Sequence, residues 1–104
     1  MIRHIVLVRF KEDLPAGEME AIVSGLRGLV GRIEGLKSFR FGPNARFEDL
    51  DRGFAHGICM DFTDADAIRR YHADAEHRAL GTRLVAAAEG GLDGLLVFDL
   101  ESPD

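Results

Sequence analysis

Residues 2–10, IRHIVLVRF, constrain the fold more than any other stretch of this chain. Their β-branched enrichment is that of a strand. By alternation Ile2, His4, Val6, Val8 and Phe10 share one side, and Arg3, Ile5, Leu7 and Arg9 share the other. Both sides are apolar in the middle, so something must cover both.

The elements that follow show what is available. Pro15 suits the first turn of a helix, with Glu18 and Glu20 near its positive end. Met19, Ile22, Val23, Leu26, Leu29, Val30 and Ile33 recur at helical period, and Gly35 is placed to end the helix. Gly25, Gly28 and Gly31 weaken it intrinsically, which close packing against a sheet would explain. LKSFRFG (36–42) and FAHGICMDF (54–62) read as strands separated by a polar loop. The second has a bulky even face and a small odd face. Thr63 and Asp66 form a capping-box pattern that opens a second helical region reaching about Glu89, broken near Ala73–Asp74, where Asp74 can cap a fresh start. Residues 89–94 are a turn-rich hinge, LLVFDL (95–100) is the last strand, and ESPD a fraying tail.

The order is β-α-β-β-α-β. The expected fold is therefore α+β and ferredoxin-like, a four-stranded antiparallel sheet with both helices on one face. Those helices leave the other face of the first strand bare. A second copy's sheet is the economical cover, so a homodimer is expected. At 104 residues the chain is expected to be one domain, 1–104, small enough for a partner to help its core. A net charge of −5, with scattered basic residues, speaks against nucleic acid. Cys59, the single cysteine, cannot form an intrachain disulfide and reads as a small buried filler. MIRHIVLVRF is not a signal sequence, and no apolar run is long enough to span a membrane. The expected location is cytoplasmic, with no membrane partner.

MIRHIVLVRFK, FRFGPNA, GFAHGICMDF, YHADAEH and LLVFDL, in that order, resemble the Dabb family, the stress-responsive dimeric α/β-barrel domain. The resemblance spans nearly the whole chain. It implies a homodimer in which two sheets form one barrel. Some members, of the olivetolic acid cyclase type, close a poly-β-keto chain by aldol condensation. In that type a tyrosine and a histidine act together, and the matching positions here are Tyr71 and His77. Pocket-lining histidines of the first and third strands match His4 and His56. Two departures stand out: the common HPxH reads DAEH here, with Asp74 in place of the first histidine, and the 86–94 segment is longer.

The residues themselves allow competing chemistries. A buried histidine is most often a neutral, hydrogen-bonded core residue. Four polar rings between sheet and helices, however, are a costly filling. A cavity lined by Val6, Val8, Ile58 and Met60 with a few placed polar groups would suit a small apolar ligand, and the resemblance implies a polyketide-like one. There His77 would be the general base and Tyr71 a hydrogen-bond donor to a developing enolate, with His4 and His56 orienting substrate. That is lyase, cyclase or isomerase chemistry with neither metal nor organic cofactor. The alternative is a non-catalytic small-molecule-binding or stress-response protein. His72 and Glu76, four apart, could clip a metal, but the helix break and the lack of a third ligand leave them as helix surface. Asp66–Arg70 and Asp74–Arg78 are expected i,i+4 pairs. Oxygenase chemistry ranks last, because the chain has no Trp and one Tyr.

Overall fold

The computed structural model describes residues 1–103; Asp104, the last residue of the expected tail, lies outside the described residues. The strands are β1 (Ile2–Val8), β2 (Leu36–Pro43), β3 (His56–Phe62) and β4 (Leu95–Glu101). They form one antiparallel sheet in the order β2-β3-β1-β4. Three helices, α1 (Glu18–Arg27), α2 (Ala65–Ala73) and α3 (Ala75–Ala87), lie on one face, and a 3-10 turn (Gly91–Gly94) leads into β4. The fold is ferredoxin-like.

β1 is central because its even side is the floor of the core. Val8 is fully buried and Val6 nearly so, beneath Ile58, Met60 and Phe62 of β3 and Ile22, Leu26 and Leu29 from α1 and its C-terminal turn. Its odd side meets no helix. Ile5 pairs with Phe98 and Leu7 with Leu96, and Leu96, Phe98 and Leu100 on β4 are 44, 55 and 46 % exposed. The two-sided apolar pattern of β1 thus corresponds to one covered and one bare sheet face. On that bare face Arg3 holds Asp61 at 2.8 Å, which keeps the Asp61 carboxyl below its ordinary pKa. Cys59 is there as well, only half-buried, so it is not the core filler its apolar neighbours suggested.

Several boundaries differ from expectation for local reasons. α1 starts after Gly17, leaving Pro15 outside, and stops at Gly28 rather than Gly35. Gly31, at φ 86°, cannot continue a right-handed helix, yet Leu29 and Ile33 stay buried in the turns that follow. The apolar stripe therefore outlasts the helix. Gly25 does allow a close approach, but to Leu80 of α3 and not to the sheet: a Cβ there would lie 2.6 Å from the leucine side chain. β1 ends at Val8 and β3 begins at His56, while β2 bulges between Leu36 and Ser38. The cap of α2 is Asp64, whose Oδ1 accepts the Ala67 N–H at 2.9 Å, so Thr63 and Asp66 make no capping box. Asp66 pairs with Arg69 instead of Arg70. The expected tail is ordered at its start: Glu101 belongs to β4, and the Ser102 N–H donates to the Met1 carbonyl at 3.0 Å.

The break between α2 and α3 falls where the sequence places it. Asp74 caps α3 by accepting the His77 N–H at 2.9 Å. Its carboxylate also takes two bonds from Arg32, at 3.0 and 2.8 Å, so the expected Asp74–Arg78 pair does not form. With Arg32 as the first cause and the helix N–H groups as the next, its pKa is held at about 2.

The entry to β4 has little room. A Cβ at Gly94 would lie 2.4 Å from the Glu89 carbonyl oxygen and 2.9 Å from the Glu89 nitrogen, backbone atoms that cannot turn aside. Gly94→Ala should destabilise the fold by about 2 kcal/mol in urea unfolding, as overpacked sites do. A loss within about 0.5 kcal/mol, typical of a neutral surface change, would contradict that close approach.

Candidate functional site

Short helices on either side of Asp74 bring Tyr71 and His77 together. Tyr71 is in the last turn of α2 and His77 in the first turn of α3. Because Asp74 is extended (φ −73°, ψ 127°), the chain turns between them, and their rings lie 3.6 Å apart between centroids at 32°. An unbroken helix would separate residues six apart by more than a turn and a half. The His4 ring also meets Tyr71, 5.8 Å away and edge-on. His72 lies 6.0 Å from His77.

These rings line a cavity of about 500 Å³. Its sheet wall is Val6, Ile58, Leu95 and Val97; its helix wall is Leu26, Leu84 and Val85, with Gly81 leaving open space and Arg78 and Thr82 at the rim. Of the site residues expected from sequence, Tyr71, His77, His4, Val6 and Ile58 converge here. His56 does not join them. It pairs with Val8 while His4 pairs with Met60, four residues along the strands, about 13 Å at the usual strand rise. His56 stacks on Phe41 (5.6 Å, 6°), has Phe10 edge-on at 5.4 Å, and lines a different cavity under the β2–β3 loop. Val8 and Met60 are fully buried and outside the cavity lining, packed in the core. Glu76 is drawn to Arg32 at 3.1 Å. Among the described residues no three His, Cys, Asp or Glu are grouped as a metal ion would require.

The electrostatics separate the two central rings. Tyr71 is 4 % exposed; burial, and then the charge of Asp99, push its pKa well up, so the phenol keeps its proton. His77 is pushed down, first by burial and then by His72, so its ring favours the neutral form. Its Nδ1 is buried beside the Tyr71 backbone, which works against that lowering.

Sequence reading missed Asp99. Its Oδ1 lies 2.5 Å from His4 Nδ1. A carboxylate there fixes the ring's orientation and puts the proton on Nδ1, which leaves Nε2 as the nitrogen with a free lone pair. The signal was present in LLVFDL: alternation puts Leu95, Val97 and Asp99 on one side, so a carboxylate shares the face that meets the helices. The helix wall around Gly81, Leu84 and Val85 was also missed. It had no signal beyond the ordinary apolar stripe of a helix.

The comparisons with known proteins agree with this architecture. The model of the Stress responsive A/B Barrel Domain, Dabb, matches residues 2–102. The chain is 30 % identical over 98 residues to the Stress-response A/B barrel domain-containing protein HS1 of Arabidopsis thaliana, covering 94 % of this chain and 86 % of that one. It is 20 % identical to olivetolic acid cyclase of Cannabis sativa, covering 94 and 93 %. Among solved structures, a dimeric ferredoxin-like protein of unknown function from Jannaschia superposes with a TM-score of 0.85 at 35 % identity, covering 97 % of this chain and 98 % of that one. With the family model matching residues 2–102, almost end to end, the chain belongs to the Dabb family of stress-responsive A/B barrel domains.

Proposed function

We propose that this chain is a homodimeric small-molecule enzyme whose cavity removes a proton alpha to a carbonyl, as in aldol cyclisation of a polyketide-type substrate, isomerisation or a lyase step. One observation carries the reading: Tyr71, His77 and His4, the last held by Asp99, line a single cavity whose remaining walls are mostly apolar. His77, neutral near pH 7, takes the proton from the alpha carbon. The C–H electron pair moves into the carbonyl, and the Tyr71 hydroxyl donates a hydrogen bond to the resulting enolate oxygen. His4, held by Asp99, offers its Nε2 lone pair to a substrate hydroxyl, and the proton taken up by His77 is returned to the product. Olivetolic acid cyclase among the relatives is consistent with such a step, though at 20 % identity it shares the fold more than the substrate.

The bare sheet face supports the homodimer, as does the dimeric state of the Jannaschia neighbour. Two such faces closing on each other would bury Phe98 and Leu96. Phe98→Lys should shift the protein from dimer to monomer on size-exclusion chromatography with light scattering. A wild-type chain that is monomeric at micromolar concentration would sink the dimer.

The chemistry is tested by deuterium uptake alpha to the carbonyl in a panel of keto-acyl thioesters, followed by NMR. His77→Gln and Tyr71→Phe should each slow it by about a hundredfold or more while the protein stays folded. Exchange that survives both substitutions would dispose of the proposal. Ligands that bind without exchange in the wild type would make this a binding protein.

His77 also predicts a pH dependence of stability. In the unfolded chain a histidine titrates near about 6.5, and in the folded chain His77 titrates lower. Its contribution is therefore fully present above that value. As pH falls through it, the unfolded chain takes up a proton the folded one refuses, and stability is lost until the folded value is passed. In His77→Gln the thermal midpoint should fall less steeply between about pH 7 and pH 5. Parallel curves for the two proteins would contradict the assignment.

A further inference from the structure

The cavity rim carries a cation that the fold leaves unused. Among the described residues Arg78 is the only Arg or Lys lining the cavity. It is in the first turn of α3, four residues after Asp74, where an i,i+4 pair would ordinarily form. Asp74 is unavailable: Arg32 holds both its carboxylate oxygens, at 3.0 and 2.8 Å, and Glu76 also goes to Arg32. On the same helix Arg83 is engaged by Glu18 and, on α2, Arg69 by Asp66. No hydrogen bond or ion pair involves the Arg78 guanidinium among the described residues. Thr82, one turn further on, gives its hydroxyl to the Arg78 carbonyl, so the guanidinium is the charged feature of this rim.

We propose that the cavity's ligand is an amphipathic carboxylate: its anionic group is held at the mouth by Arg78, and its apolar part lies inward on Val6, Leu26, Ile58 and Leu84. A guanidinium recognises a carboxylate through two parallel N–H···O bonds, and a neutral isostere cannot reproduce that pairing. The apolar walls supply affinity without direction, and the charge supplies orientation. A chain anchored this way has its carboxylate at the open end and its body running past Tyr71 and His77. The inference takes from the proposed function only the idea that this cavity is the ligand site, and it requires no turnover.

The test is equilibrium binding of octanoate and 1-octanol, which share an eight-carbon chain and differ in the head group, measured by calorimetry on the full chain. Wild type should bind octanoate about tenfold tighter than octanol, a modest value for a charge-assisted pair at an exposed rim. Arg78→Gln should erase that preference by weakening octanoate and leaving octanol unchanged, and Arg78→Lys should restore part of it. Added salt should weaken octanoate alone. Gly81→Phe fills the cavity at a position where a Cβ meets nothing within 4 Å, and should weaken both ligands. No binding of octanoate, equal binding of the two ligands by wild type, or a preference that persists in Arg78→Gln would each overturn the proposal. Selectivity and alpha-proton exchange are read separately on the wild type, so the ligand inference and the proton-transfer reading fail separately. Octanoate selectivity without alpha-proton exchange counts against the chemistry alone, and exchange without selectivity counts against the carboxylate alone.

Discussion

The Asp74 carboxylate organises the helical layer. It accepts the His77 N–H, which starts α3 afresh, and it takes both N–H bonds of Arg32 from the turns after α1. One bond breaks the helix; the other two tie the break to a different part of the chain. The placement of Tyr71 against His77 follows, because only a redirected backbone can set residues six apart face to face. So does the unpaired state of Arg78, since the arginine one turn on has lost its nearest acid. A capping carboxylate that works only at a helix start thus also shapes the site.

Much of the fold was legible because its signals are local or periodic. The two-sided apolar pattern of residues 2–10, the small odd face of 54–62 and the cap at Asp74 each state a constraint that one segment can express. The end of α1 was not legible in the same way. Leu29 and Ile33 keep helical spacing into turns that Gly28 and Gly31 impose, so burial and helix diverge. Salt-bridge partners were misread for a related reason. Spacing offers Asp74 to Arg78 and Asp66 to Arg70, whereas tertiary packing and side-chain reach give Arg32 and Arg69.

The candidate site was half legible. Tyr71 and His77 came from a resemblance to a family motif, and their opposed environments came only from three-dimensional burial. One ring is pushed toward keeping its proton and the other toward losing it, by the same apolar walls acting on an acid and on a conjugate acid. His4 and His56 looked equivalent by alternation, since both occupy the helix-covered side. Distance along the strand separates them, and face alone could not. Asp99 was hidden inside an apolar strand, where a single acid is easily taken for a solvent-facing residue.

β4 carries two consecutive residues with opposite allegiances. Phe98 projects from the bare face and Asp99 from the face that holds His4. Strand alternation makes that division absolute, and a shift of one residue exchanges the two. A single-residue insertion or deletion in the tight Gly90–Gly94 approach would therefore send a carboxylate into the apolar face and a phenyl ring toward the imidazole. Surface loops usually tolerate changes in length, but this connector is a ruler. Drift in its length would damage the bare apolar face and the histidine pair in one event, so the two should vary together or not at all.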